Sequence, residues 1–228
     1  MIFFDIDGTL LDHAAAERAG ALALRERHPA LAAMAPDRFV ERWHALAEEY
    51  VDRFLAGELS TPEQRRARLR ALFVEAGSSV DDPGADTAFA YYLERYEAAW
   101  GLYPDVAPCL AALEGDGHAL GVISNGDSDA QRRKLERMGL ADRLPTVAIS
   151  GDIGVAKPAA ALFEHACRLA GRAPADCLYI GDRLDTDARA ARRAGLRGVF
   201  LDRNGVGAED VPRIGSLAEL PTLLSTLA

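Results

Sequence analysis

Two carboxylate side chains, Asp5 and Asp7, lie at the carboxyl end of an apolar segment, residues 2–6, that has the length and composition of a buried strand. A glycine and a hydroxyl side chain follow at once. In open α/β sheets, ligands bind at the carboxyl ends of the strands. Paired carboxylates at such a position can divide a reaction between them, because one can attack as a nucleophile while the other transfers protons.

A second apolar segment, residues 120–123, ends in Ser124, Asn125 and Gly126. A serine hydroxyl and the backbone N–H groups of a turn are donors that can bind a phosphate group. The same residue types also suit the start of a helix, which the sequence predicts over residues 127–138. Taken alone, this segment is better explained as an ordinary helix cap.

Two further segments carry charged side chains that suit phosphate chemistry. Lys157 precedes Pro158, which favours an extended backbone at the lysine and suits the first turn of a following helix. The ammonium group of this lysine could neutralise crowded carboxylates and phosphoryl oxygens. Farther along, another apolar strand is followed by Asp182, Asp185 and Asp187. Mg²⁺ prefers oxygen ligands of this kind in octahedral geometry.

The four segments, in this order, resemble the motifs of the haloacid dehalogenase superfamily. The resemblance rests on Asp-Ile-Asp-Gly-Thr-Leu, Ser-Asn-Gly, Val-Ala-Lys-Pro and Gly-Asp-Arg-Leu-Asp-Thr-Asp. A helical stretch between the first two is similar to the cap of one subclass, so the resemblance covers essentially the whole chain. It implies a Mg²⁺-dependent phosphohydrolase with an aspartyl-phosphate intermediate, similar to nucleotidase-like and FMN-hydrolase-like members. Nucleoside monophosphates, FMN and sugar phosphates are the implied substrates.

The resemblance implies a role for each reacting side chain. Asp5 would be the nucleophile, and Asp7 would act first as the general acid and then as the general base. Ser124 and the N–H groups of the next two residues, Asn125 and Gly126, would hold the transferring phosphoryl group. Thr9 would support the loop and help to position the second carboxylate. The lysine of the third motif would offset the charge on the phosphoryl group.

The resemblance also implies the metal ligands. Mg²⁺ would be held by Asp5, by the backbone carbonyl of Asp7 and by Asp182. Asp187 would orient a metal-bound water or contact the direct ligands without binding the metal itself. Asp185 has no firm role in the family, and whether it or Asp187 contacts the metal is left open by the sequence.

Three alternatives compete with a phosphatase. A 2-haloacid dehalogenase would share the fold and the nucleophile, but such enzymes usually lack the second acid, here Asp7. A phosphoaccepting receiver module would also combine acids, a hydroxyl and a lysine, but receivers are shorter and have no helical insert. A catalytically inactive relative would serve for binding alone, although every side chain expected of a catalyst is present.

Composition limits the partners. The 228 residues carry a net charge of −9 with no run of lysines, so nucleic acid is not an expected partner. No apolar run is long enough to span a membrane and no secretory leader is recognised at the start, so we expect a cytoplasmic protein. Three scattered cysteines are typical of buried thiols in a reducing compartment. The expected partner is a small phosphorylated metabolite, and the expected state is a monomer or a homodimer.

Alternating strand and helix signals after residue 100 predict an α/β fold, with a doubly wound, parallel, Rossmann-like sheet that the first strand joins. Aromatic and apolar stripes at helical spacing between residues 14 and 100 predict four helices packed as a bundle, with a loop at 77–84. The predicted domains are therefore a catalytic core, residues 1–13 and 101–228, and an inserted helical cap, residues 14–100. Such a cap would exclude water and favour small substrates.

Overall fold

The computed structural model describes residues 1–227 and divides into two compact units. One unit consists of Met1–Asp12 together with the chain from Gly101 onward, and the other is His13–Trp100. Among the described residues, no helix is long and apolar enough to cross a membrane.

The first unit is built on a single sheet of six parallel strands, in the order β3-β2-β1-β4-β5-β6. The strands are β1 (Ile2–Phe4), β2 (Leu120–Ser124), β3 (Thr146–Ile149), β4 (Leu178–Gly181), β5 (Arg197–Leu201) and β6 (Arg213–Ile214). The side chains of β1, β2 and β4 are all buried, as expected of parallel strands covered on both faces. The predicted doubly wound sheet is confirmed.

The sheet differs from the predicted one at two points. β1 ends at Phe4, not at residue 6, because the chain begins to turn after Asp5, whose N–H still donates to Ile180 O at 2.9 Å. The turn reaches the left-handed region at Gly8, with a φ of 83°. β6 has only two residues, which is too short for a hydrophobic pattern to reveal.

Helices connect the strands of this unit. They are α6 (Val106–Gly115), α7 (Ser128–Arg137), α8 (Ser150–Ile153), α9 (Ala160–Leu169), α10 (Arg189–Arg193) and α11 (Leu220–Leu227), with 3₁₀ turns at Pro174–Asp176 and Leu217–Glu219. The helix predicted from residue 186 begins instead as a π turn, Leu184–Ala188. Pro158 lies two residues before α9 and so is not in its first turn. All three cysteines are buried and free.

The strand order creates a switch point beside β1. From β1 the sheet extends in one direction through β2 to β3, and in the other through β4 to β5. The neighbouring strands β1 and β4 are followed in the chain by strands on opposite sides, β2 and β5, and a crevice is expected at the carboxyl ends of such a pair. The segments that follow β1, β2 and β4 carry the residues predicted to do chemistry.

The second unit is helical. Its helices are α1 (His13–Arg27), α2 (Pro29–Ala32), α3 (Pro36–Leu55), α4 (Thr61–Glu75) and α5 (Asp82–Ala98). The predicted number of four was wrong, because α2 adds a single turn that is too short to show a periodicity. The predicted loop at 77–84 is also shorter, since the Asp81 side chain accepts from Gly84 N–H at 2.9 Å and begins α5 there.

Aromatic side chains form the core of the helical unit, as their spacing predicts. Trp43 is fully buried and its ring lies 4.4 Å from that of Tyr92, between centroids. The guanidinium carbon of Arg68, itself buried, lies 4.4 Å from the centre of the Trp43 ring. These aromatic groups therefore pack among themselves inside the bundle.

Candidate active site

Three segments of the α/β unit bring a lysine and two carboxylates into one buried cluster. The ammonium group of Lys157 donates to Asp5 Oδ1 at 2.8 Å and to Asp187 Oδ1 at 2.7 Å. Its third hydrogen bond, at 2.7 Å, goes to the hydroxyl of Tyr179 on β4. All three protons of the ammonium group thus have an acceptor, and this fixes the direction of the side chain.

The charges of the cluster keep Lys157 protonated. Burial alone would lower the pKa of Lys157, but the carboxylates of Asp187 and Asp5 outweigh burial and raise it. The lysine is therefore a permanent positive charge beside the first carboxylate. Such a charge suits a site in which negative charge must accumulate on a reacting group.

A third carboxylate, Asp182, joins the cluster from the end of β4. One oxygen from each of Asp5, Asp182 and Asp187 lies within 4.8 Å of the other two. Burial raises the pKa of Asp5 to about 6, with additional contributions from Asp187 and Asp7, while Lys157 opposes the rise. Burial and the charges of Asp5 and Asp187 raise the pKa of Asp182 to about 7.

This crowding fits a hard divalent cation. The donors are all carboxylate oxygens, the type of ligand that Mg²⁺ prefers. The raised pKa values of Asp5 and Asp182 show that lysine alone does not compensate the carboxylates, so a further positive charge would favour their ionised forms. The residues present therefore suit the metal that the sequence predicts.

Asp187 is tied to protein donors at both of its oxygens. Oδ1 accepts from Lys157 and, at 3.0 Å, faces the Tyr179 hydroxyl. Oδ2 accepts from Arg183 N–H at 3.0 Å. These contacts favour the indirect role expected for Asp187. Asp185, by contrast, is exposed and pairs with Arg189 at 2.9 Å.

The second carboxylate of the first segment has partners on α7. Asp7 accepts from the ammonium group of Lys134 at 2.6 Å (Oδ1) and 2.8 Å (Oδ2). The side-chain amide of Gln131 donates to Asp7 Oδ2 at 3.0 Å and to Ser124 Oγ at 2.8 Å. The structure thus places Asp7 and Ser124 on either side of one amide group.

The other predicted phosphate-binding residues make contacts inside the protein. The Asn125 side chain accepts from Lys157 N–H at 2.7 Å and donates to Lys157 O at 3.0 Å, so it holds the backbone of the lysine. The N–H of Gly126 donates to Ser150 Oγ at 2.9 Å. These two residues shape the site through contacts inside the protein, and their role in phosphate binding stays a prediction.

The turn after β1 contacts Asp182. The hydroxyl of Thr9 lies 3.4 Å from Asp182 Oδ1, whereas the sequence predicted that it would help to position Asp7. At Gly8 the backbone approaches the same carboxylate so closely that a Cβ atom would collide with it. Glycine is required there both for this approach and for the positive φ.

Sequence reasoning gave no role to Tyr179, Gln131 or Lys134. The tyrosine lies within an apolar strand, and this position predicts a core residue. The other two are spaced three apart on α7, close to apolar Leu135. Two polar side chains at i and i+3 on a helix that follows a functional strand are the signal that could have identified them.

Comparison with known proteins identifies the family of this chain. A family model of haloacid dehalogenase-like hydrolases matches residues 1–195. A phosphoserine phosphatase of Thermus thermophilus is 37% identical over 160 residues, which cover 68% of this chain and 63% of that protein. Human N-acylneuraminate-9-phosphatase is 27% identical over 239 residues, which cover 99% of this chain and 94% of that protein. The chain belongs to the haloacid dehalogenase-like hydrolase family.

A solved structure shows the same fold. The HAD-hydrolase YfnB of Bacillus subtilis superposes with a TM-score of 0.81 at 24% identity, covering 98% of this chain and 97% of that one. The two chains therefore share a fold. The family predicted from the four motifs is confirmed.

Proposed function

We propose that this protein is a Mg²⁺-dependent phosphohydrolase that cleaves a small phosphomonoester through an aspartyl-phosphate on Asp5. The proposal rests on the buried cluster in which Asp5 Oδ1 lies 2.8 Å from Lys157 Nζ. In the same cluster, an oxygen of Asp5 lies within 4.8 Å of an oxygen from each of two further carboxylates. The relatives named above are phosphatases, which supports the same reaction class.

In the first step, an oxygen of Asp5 forms a bond to phosphorus as the bond from phosphorus to the leaving oxygen breaks. Lys157 offsets negative charge on the transferring group, and the Ser124 hydroxyl holds one of its oxygens. The protonated form of Asp7 gives its proton to the leaving oxygen and becomes a carboxylate, the form in which both of its oxygens accept hydrogen bonds from Lys134 in the structure. The products of this step are the free alcohol and the aspartyl-phosphate.

In the second step, the Asp7 carboxylate takes a proton from a water molecule as the water oxygen bonds to phosphorus. The bond between phosphorus and the Asp5 oxygen breaks, and inorganic phosphate leaves. Asp5 is again a carboxylate and Asp7 is again protonated, so both return to their starting states.

Mg²⁺ would be held by the carboxylates of Asp5 and Asp182 and by the backbone carbonyl of Asp7, with Asp187 orienting Lys157 and bound water. When bound, the metal supplies positive charge that offsets the carboxylates and the phosphoryl oxygens.

For the substrate we propose a small phosphorylated metabolite. The two relatives act, by their names, on phosphoserine and on an N-acylneuraminate 9-phosphate, while the sequence motifs are similar to nucleotidase-like and FMN-hydrolase-like proteins. Selection among these would fall to the predicted cap, residues 14–100, while the reaction would take place in the predicted core, residues 1–13 and 101–228. A monomer or homodimer in the cytoplasm stays a prediction from the sequence.

Phosphate release from a panel of phosphomonoesters tests the proposal, with and without Mg²⁺ and with Asp5→Asn as the matched variant. We expect Mg²⁺-dependent release by the wild type and a loss of at least about 10³-fold in the variant. Halide release from 2-haloacids without phosphate release would favour a dehalogenase instead. A stable phosphoprotein without turnover would favour a receiver-like role.

A further inference from the structure

The helix that follows β2 presents two buried polar side chains to the reacting loop. α7 begins at Ser128, and Gln131 and Lys134 lie nearly one turn apart on it. Both are buried, whereas their neighbours Arg132 and Arg133 are exposed. Burial of a lysine ammonium group costs free energy unless an opposite charge compensates it, so Lys134 requires an anionic partner.

That partner is the carboxylate of Asp7. Lys134 contacts both of its oxygens, at 2.6 and 2.8 Å, and the Gln131 amide contacts Oδ2 at 3.0 Å. Three hydrogen bonds from two side chains of one helix restrict the rotation of the carboxylate about its own bonds. Charged donors make such contacts stronger than neutral ones.

The Gln131 amide also sets where Ser124 points. Its nitrogen lies 2.8 Å from Ser124 Oγ and 3.0 Å from Asn125 O, in addition to its contact with Asp7. The amide has two protons, so it can donate to two of these three oxygens at a time, and the serine hydroxyl itself faces Asn125 O at 3.4 Å. One side chain thus fixes the second carboxylate relative to the proposed phosphate-binding hydroxyl.

We propose that Gln131 and Lys134 are positioning residues that hold Asp7 at the distance and angle needed to protonate the leaving oxygen. The inference rests on the proposed phosphohydrolase function. General acid catalysis requires the acid within hydrogen-bond reach of the atom that it protonates, and a misplacement of about 1 Å can cost about 10²-fold in rate. Neither residue contacts the reacting phosphoryl group in this role, because both act through the second carboxylate or the serine.

Two substrates with different leaving groups separate this role from a structural one. p-Nitrophenyl phosphate releases a stabilised phenolate that does not require a proton, whereas an alkyl phosphate must have its leaving oxygen protonated. For Lys134→Met and Gln131→Leu we expect kcat/KM to fall by about 10- to 100-fold with the alkyl ester. With p-nitrophenyl phosphate, kcat/KM of the same variants should fall by less than about 3-fold.

Matched variants control the experiment. Arg133→Met changes an exposed side chain on the same helix and should leave kcat/KM unchanged for both esters. Lys134→Arg keeps the charge and the donors and should recover part of the alkyl-ester activity. Thermal unfolding of each variant identifies any that fail to fold, in which case Lys134→Gln, a smaller change, replaces Lys134→Met.

The outcomes distinguish the inference from the function on which it rests. If the wild type releases phosphate and Asp5→Asn does not, the proposed function stands. If Lys134→Met and Gln131→Leu then lower kcat/KM equally for both esters, or lower it for neither, the positioning role is overturned. A wild type that hydrolyses no phosphomonoester would overturn the proposed function itself.

Discussion

The position of Lys157 depends on residues far apart in the sequence. Its ammonium group contacts Asp5, Asp187 and Tyr179, and the Asn125 side chain bonds to its backbone on both sides. A flexible side chain is thereby held in one place before any substrate binds. Preorganisation of this kind is what allows a charge to stabilise a transition state without further rearrangement.

Tyr179→Phe tests how much this arrangement depends on one hydroxyl. The hydroxyl lies 2.7 Å from Lys157 Nζ and 3.0 Å from Ile123 O, so phenylalanine would leave buried polar groups without a partner. We expect kcat to fall by about 10-fold and the free energy of unfolding to fall by about 1–3 kcal/mol. Steady-state kinetics and urea denaturation measure the two quantities.

Tyr91→Phe is the matched control, because Tyr91 lies half-buried on α5 of the helical unit. It should change neither kcat nor the free energy of unfolding appreciably. Wild-type kcat in Tyr179→Phe would contradict the view that this hydroxyl helps to hold the lysine.

At the scale of elements, the carboxyl ends of β1 and β4 bring Asp5 and Asp182 together. Their pKa values, about 6 and about 7, lie above the ordinary value of 3.8, so the folded protein binds these protons more tightly than the unfolded chain. Without metal, their contribution to stability is therefore greatest at low pH and is lost as the pH rises through about 4 to 7.

Ionisation of Asp5 and Asp182 destabilises the folded protein at high pH, and a bound cation would offset this effect. We therefore expect Mg²⁺ to raise Tm more at pH 8 than at pH 5. Thermal unfolding with and without Mg²⁺ at several pH values measures the difference. Asp182→Asn should largely abolish the pH-dependent increase, whereas Asp185→Asn, which alters an exposed carboxylate, should keep it. An equal effect of Mg²⁺ at both pH values would contradict the proposed site.

The sequence predicted the elements better than their ends and contacts. Strong apolar runs identify the central strands, and residues at the carboxyl ends of parallel strands must converge, so Asp5 and Asp182 could be placed together in advance. Local patterns carry no such information about Lys134, because its partner lies 127 residues away. The two-residue β6 and the one-turn α2 are too short for any periodicity.

At the scale of the whole molecule, the helical unit begins and ends at neighbouring points of the α/β unit. Leu11 and Leu102 form an antiparallel bridge, and Asp12 N–H donates to Gly101 O at 2.9 Å. Chain ends this close allow an inserted segment to be removed without stretching the sheet that surrounds the point of insertion.

Replacement of His13–Trp100 by a short Gly/Ser linker tests this independence. We expect the shortened chain to unfold cooperatively and to retain an increase in Tm on addition of Mg²⁺, because the sheet and the carboxylates all belong to the other unit. Circular dichroism during thermal unfolding, compared with that of the full chain, measures both. A chain without a cooperative transition would show that the α/β unit does not fold alone.

The most direct test of the central claim is to trap the phosphoryl group on the protein. Asp7→Asn with p-nitrophenyl phosphate can form the aspartyl-phosphate without a general acid but should hydrolyse it slowly for lack of a base. Acid-quenched protein is then digested and its peptides weighed by mass spectrometry. We predict one phosphoryl group on Asp5, and none when Asp5→Asn is added. A phosphoryl group on another residue, or phosphate release by the wild type with no phosphoprotein in Asp7→Asn, would contradict the account.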